Sequence, residues 1–249
     1  MYILMPSTRR SSAFRIREYC GNVKSRGNSG GFLREAFFRK RLDVLYRTVY
    51  NKPRGHSMEK REEILKKALE LFCSRGYDAV GVQEIAECAG VTKPTLYYYF
   101  KSKYGLLQEL MEQGCDPFLK SLEQAARYTG DLMKTLCNCV QVFVDFAEQT
   151  PKLYRLLFSM FHSPQQSETY RCVHPYILRQ QGTIRSIFDA ASGQLGNMHG
   201  RQRQFGLGFS GLVHYFIVMK FEESKDEGIH VSNQEIYSLV HQFMHGIYS

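Results

Sequence analysis

Thr92, Lys93, Pro94, Thr95, Tyr97, Tyr98, Tyr99 and Lys103 fall within a single short stretch of the chain. They bring hydroxyls, phenols and ammonium groups together with no carboxylate among them. That chemistry suits hydrogen bonding to nucleic acid better than bond cleavage. Thr95 can offer its hydroxyl to a base edge or its methyl to thymine, and Lys93 can reach guanine acceptors or a phosphate. The phenols of Tyr97 and Tyr98 suit phosphate oxygens, which fix register without reading sequence. Lys103 stands where a new helix begins, a favourable place for a phosphate. Tyr99 shares an angular position with Leu96, so core packing and backbone contact both remain open for it. Three consecutive residues sweep about 200° of a helix, so at least one of the tyrosines must face outward. The stretch has no arginine, which leaves base preference to Lys93, Thr95 and DNA shape.

These side chains need a scaffold, and the flanking sequence predicts one. Val82, Ile85, Ala86 and Ala89 recur at i, i+3, i+4 and i+7, the spacing of one buried helical stripe. Gly90 can take the backbone conformation that a tight helix C-terminus needs, and Val91 can plug the corner. Thr92 is a good N-cap, and Pro94 sits in the first turn, where a missing N–H costs little. Leu96 and Phe100, four apart, point inward together. Two short helices joined by such a glycine turn make a helix-turn-helix, with Thr92 to Phe100 as the reading helix.

Residues Arg61 to Leu107 resemble the DNA-binding domain of the TetR/AcrR family of bacterial transcriptional regulators. The matching pieces are Ile64, Ala68, Leu71–Phe72, Gly76–Tyr77, Ile85–Ala86 and Ala89–Gly90–Val91. They continue through Thr92–Lys93, Thr95–Leu96–Tyr97, Tyr99–Phe100 and Lys101–Ser102–Lys103. Gly81 stands where the family usually has a Ser or Thr cap. The resemblance implies that the motif residues contact double-stranded DNA and that the protein binds an inverted-repeat operator as a homodimer. It implies a small-molecule effector held between the middle helices, whose binding tilts the fourth helix and respaces the two reading heads. Here Tyr104 to Gly114 would be the connecting rod, and Gly114–Pro117 a flex point. Repression relieved by ligand is the family default. The rival is a ligand-binding or adaptor protein of the same fold that acts without specific DNA binding.

The remainder predicts an all-α fold: an N-terminal three-helix unit and a larger helical regulatory and dimerisation domain. The expected division is a basic extension over 1–57, the DNA-binding domain over 58–104, and the effector-binding and dimerisation domain over 105–249. Helices are expected at 59–75, from about 80, from 103 towards 114 (resuming past Pro117 to 127), and at 131–149, 151–161, 168–191, 201–221 and 233–247. In the last of these Ile236, Leu239, Val240, Phe243, Met244 and Ile247 form one stripe, and Ser232 with Glu235 makes a capping box. The helix before it carries Gly206, Gly208 and Gly211, each costing about 1 kcal/mol against alanine. Close approach of another helix backbone explains them best, and packing within the chain's own core is the plainer alternative. The family resemblance implies that the final two helices pair with their copies in a second subunit, so homodimerisation is expected through 201–221 and 233–247. Phe118, Phe143, Phe146, Phe158, Phe161, Tyr170 and Tyr176, with His162 and His174, are the aromatic and polar stock from which an effector pocket could be drawn. None is singled out as a contact.

Charge is unevenly spread. Of 33 Lys+Arg and 24 Asp+Glu, the first 57 residues hold 13 and 3, leaving 20 and 21 for the rest. The basic whole-chain balance therefore says nothing about DNA binding by the helical part. The extension is open to three readings: a start assigned upstream of a natural Met58, a basic arm that strengthens DNA contact, or a transit peptide. Seven scattered cysteines without a C-x-x-C pair read as reduced thiols in a cytoplasmic protein, with no metal site. No apolar run is long enough for a membrane span. No phosphate loop, H-E-x-x-H or G-x-S-x-G is present, so no catalytic residues and no cofactor are expected.

Overall fold

The computed structural model describes residues 56–195, 198–224 and 228–246, and among them every regular element is an α-helix. In chain order these are α1 (His56–Arg75), α2 (Val82–Cys88), α3 (Lys93–Phe100), α4 (Lys103–Ala125) and α5 (Leu132–Gln149). They continue as α6 (Pro151–Phe161), α7 (Glu168–Ala191), α8 (Gln202–Glu223) and α9 (Asn233–His245). The expected extension lies outside the described residues apart from the backbone of its last two positions, which opens α1. Ile247, the expected end of the final stripe, also lies outside them. No helix among the described residues is long and apolar enough to cross a membrane.

Local signals act where they stand in the sequence. Ser232 and Glu235 close a reciprocal capping box on α9, and Asp131 accepts from the Lys134 N–H at 2.9 Å to start α5. Gly90, with φ +65°, turns the chain between α2 and α3; an L side chain would be strained in that conformation. The Val91 N–H donates back to the Ala86 carbonyl at 2.9 Å and seals the corner.

Two apolar cores hold the helices together. The lower one joins Ile64, Ala68, Phe72, Ile85 and Leu96 of α1–α3 to Leu106, Leu107 and Met111 of α4. Leu153, Leu156 and Met160 of α6 and Val173 of α7 belong to the same cluster. The three-helix unit is thus completed from below by helices beyond residue 104. The upper core is built from the second half of α4 with α5, α7, α8 and α9. Complete burial of such a side chain contributes about 1.5–3 kcal/mol, so the shared lower core couples the two halves strongly.

Two expectations are corrected. The expected pause of the helix between Gly114 and Pro117 does not occur, because α4 runs unbroken through it. Pro117 is exposed, on the side where a helix curving round a core lengthens its hydrogen bonds. Gly114 instead admits α6: a methyl at this position would collide with Leu153 Cδ2. The glycines of α8 also divide. A Cβ on Gly206 would lie 3.4 Å from Arg185 Cα, so α7 of the same chain is the helix that approaches there. Gly208 lies beside Phe243, and Gly211 faces open space.

Candidate nucleic-acid interface

The reading helix is seated by its apolar side. Leu96 is fully buried and Phe100 nearly so. The Arg61 guanidinium lies over the Phe100 ring, 5.4 Å from its centroid, and pairs with Glu109 at 2.7 Å. One residue of α1 therefore clamps the end of α3 against α4. Thr92 caps the helix, its Oγ1 accepting from the Thr95 N–H at 3.4 Å. At the other end Ser102 Oγ accepts from the Gly105 N–H at 2.9 Å, so only two residues separate the end of α3 from the start of α4. A helix of this length, about 12 Å at 1.5 Å per residue, fits across a major groove.

The opposite side presents the expected polar groups. Lys93 and Pro94 are exposed. Tyr98 is 72% exposed and Tyr97 39%. The Lys93 ammonium lies 5.9 Å from the Tyr97 ring centroid. Thr95 is half-buried, and its hydroxyl shares a 2.8 Å hydrogen bond with that of Thr92; a hydroxyl so placed keeps spare acceptor capacity. Tyr99 is half-buried against the lower core, with its ring edge-on to Tyr98 at 5.2 Å. Packing against that core thus takes much of its surface.

Lys103 differs most from its expected place. Its Nζ donates to the carbonyls of Tyr77 and Val80, both at 3.0 Å, and lies 4.2 Å from the Tyr77 ring centroid. Two of its three donors are spent tying the α1–α2 loop to the start of α4. Sequence spacing placed it near a helix N-terminus but could not reveal carbonyls more than 20 residues away. Lys101 was missed. It is exposed with φ +64°, and its Nζ lies 5.9 Å from the Tyr98 ring centroid and donates to the Tyr98 carbonyl at 3.3 Å. A helical wheel of α3 stops at Phe100, so only the turn shows that Lys101 joins the tyrosines. Its position at the helix C-terminus suits a cation. Lys93 and Lys101 therefore stand at the two ends of the exposed tyrosine face.

The regulatory half holds a second polar feature. His214 of α8, half-buried, meets Tyr154 Oη through Nδ1 at 2.8 Å and the Gln180 amide through Nε2 at 2.9 Å. Burial pushes its pKa down to about 4. Ser210, one turn earlier on α8, has a buried hydroxyl without a partner among the described residues. Of the aromatic stock, Phe118 and Phe143 are buried, Phe146 stacks on Phe118 at 4.6 Å, and Phe158 and Phe161 are exposed. Among the described residues no three His, Cys, Asp or Glu are grouped to hold a metal ion.

A short capped helix, locked by a glycine turn into a helical core and presenting phenols between two lysines, defines a helix-turn-helix reading head. The family model described as bacterial regulatory proteins, tetR family, matches residues 64–110. The transcriptional regulator AcrR of Shigella flexneri is 30% identical over 150 residues, 56% of this chain and 69% of AcrR. The transcriptional activator FasR of Mycolicibacterium smegmatis is 41% identical over 100 residues, 40% of this chain and 46% of FasR. The chain thus spans about half the length of FasR. The fold resembles that of FadR of Bacillus subtilis, solved in complex with stearoyl-CoA, with a TM-score of 0.61 and 16% identity over 75% of this chain and 99% of that one. The chain belongs to the TetR family of bacterial regulatory proteins.

Proposed function

We propose that this chain is a cytoplasmic transcriptional regulator that binds an inverted-repeat DNA operator as a homodimer and is released by a small-molecule effector. The observation that carries the reading is the exposed face of α3, where Tyr97 and Tyr98 stand between Lys93 and Lys101 while Leu96 and Phe100 anchor the helix. In this reading Lys93, Pro94 and Thr95 meet base edges, Tyr97, Tyr98 and Lys101 meet phosphates, and Tyr99 supports them. The third donor of Lys103 can add a phosphate contact. One such helix binds weakly; two related by a two-fold axis double the contacts and require half-sites about 34–36 Å apart or a multiple of that.

The dimer is supported by an apolar outer face. Leu207, Tyr215 and Met219 of α8 and Tyr237 of α9 are large and exposed, and Gly211 between them leaves room for a close helix. For the effector, the likeness to FadR supports a coenzyme A thioester of an acyl chain. Repression by occupying a promoter is the first reading. Activation is the second, favoured by the 41% identity to the activator FasR over 100 residues.

The test begins with selection of bound duplexes from random DNA, followed by gel-shift titration of the selected inverted repeat. Lys93→Ala and Tyr98→Phe are expected to weaken binding about tenfold or more, and Lys93→Ala to flatten the salt dependence. Helicity and dimerisation should not change. Selection that enriches no inverted repeat would leave the adaptor reading in its place.

A further inference from the structure

We propose that His241 and His245 of α9 form a chelating site for a divalent late first-row transition ion of the zinc, nickel or copper class. The pair lies outside the reading head and is independent of the effector reading. The two histidines stand four residues apart at the end of α9. Helical repeat puts such residues on one face, one turn apart. The same spacing lets the two histidines of an H-E-x-x-H helix hold zinc. Here Gln242, Phe243 and Met244 lie between them, so the spacing supplies a ligand pair without the hydrolytic glutamate.

The structure brings the two imidazoles together. Their ring centroids are 4.3 Å apart, with planes inclined by 39°. An ion about 2.0–2.1 Å from one nitrogen of each ring needs centroids about 4.5–5 Å apart, so a small side-chain rotation closes the chelate. Both residues are exposed, which leaves the ion's remaining positions to water. Tyr237, one turn earlier on the same stripe, has its ring centroid 5.8 Å from that of His241 and limits the conformations open to it. Side chains already held near the bound geometry lose less freedom on binding. His245 is the last residue of α9, and Gly246, with φ +69°, is its C-cap. The last carbonyls of a helix carry partial negative charge, which favours a cation in this turn.

Other described histidines are placed differently. His214 is taken up between Tyr154 and Gln180. His162 Nδ1 bonds the Phe158 carbonyl at 2.9 Å, and His174 stacks on Tyr170. His230 lies 3.6 Å from Glu148. Imidazole suits zinc, nickel and copper, whereas magnesium and calcium take oxygen ligands. Structural zinc sites use four protein ligands and catalytic ones three; with two, the ion at His241 and His245 exchanges reversibly. While bound it ties one turn of α9 to the next and restrains a helix end that otherwise frays.

Calorimetric titration of the full-length protein, free of any histidine tag and kept reduced, tests the site with nickel and zinc chlorides. Saturable binding of both ions is expected, with none of magnesium. His241→Asn and His245→Asn should each weaken zinc binding about tenfold or more. The double variant should lose little beyond either single one, because a chelate fails when either ligand goes. His162→Asn and His174→Asn should bind as the wild type does. Zinc should also slow amide exchange over residues 242–246 of the wild type, a readout that needs no variant to fold. Losses that simply add in the double variant, binding that survives it, or equal binding of magnesium would mean an adventitious ion only and overturn the site. A wild type that binds neither nickel nor zinc, or whose exchange at the end of α9 ignores zinc, overturns it as well.

Discussion

Replacing Lys103 with methionine separates two roles that the same ammonium could fill. Its Nζ holds the Tyr77 and Val80 carbonyls at 3.0 Å and lies 4.2 Å from the Tyr77 ring centroid. A hydrogen bond to a charged group contributes about 1.5–3 kcal/mol, and an exposed cation–π contact about 0.5–1 kcal/mol. These terms do not add here, because Lys103 is half-buried and water can rehydrate part of each carbonyl. Methionine keeps the stem packed, so the loss isolates the charge. A destabilisation of about 2–3 kcal/mol is expected in urea unfolding, or a fall in Tm of roughly 5–10 °C for a chain of this size. Operator affinity would fall because the loop that supports α2 and α3 loosens, with little change in salt dependence. If stability stayed within about 0.5 kcal/mol of wild type while the salt slope dropped by about one per lysine removed, Lys103 would be a phosphate contact first. The structural reading would then fail.

Three further outcomes follow from the same geometry. Burial holds the His214 pKa at about 4, below its ordinary 6.5, so the unfolded chain binds a proton that the native one refuses. Stability is therefore independent of this group above pH 6.5 and falls by up to about 3 kcal/mol between pH 6.5 and 4; His214→Gln should flatten that limb in unfolding titrations. Tyr215→Lys, which places a charge on the exposed face of α8, should shift sedimentation towards the monomer at micromolar concentration without loss of helicity, and an unchanged dimer would move the interface elsewhere. Gly114→Ala gains helix propensity worth about 1 kcal/mol but drives a methyl into Leu153 at an overpacking cost of about 1–3 kcal/mol, so thermal unfolding should show a net loss of up to about 2 kcal/mol. A stabilised variant would mean that α6 yields at this contact.

The reading head was legible because its determinants are local. Thr92, Pro94, Gly90 and the pair Leu96 and Phe100 act within two turns of one another, and each does in the fold what its spacing predicts. The same holds for the capping box at Ser232 and for the bounds of α6 and α7, which open on Pro151 and on the residue after Ser167. Where a residue's partner lies far along the chain, the sequence was silent or misleading. Gly114 looked like a hinge because nothing nearby shows Leu153 leaning on it. Gly206 looked like a dimer contact because Arg185 is distant in sequence. His214 passed unnoticed among the apolar residues of α8, although its i, i+4 relation to Ser210 marks a polar stripe on a buried face.

Period, caps and turn residues settled which segments are helices, which side of each is apolar, and that a short lysine- and tyrosine-bearing helix is presented outward. Backbone hydrogen bonding and helical repeat operate over a few residues, so one sequence contains all the terms. Tertiary packing alone decided that Lys103 serves two carbonyls, that α4 stays unbroken past Pro117, and that α6 joins the core beneath the reading head. Those outcomes depend on which surfaces meet, and surfaces meet only after the chain has folded.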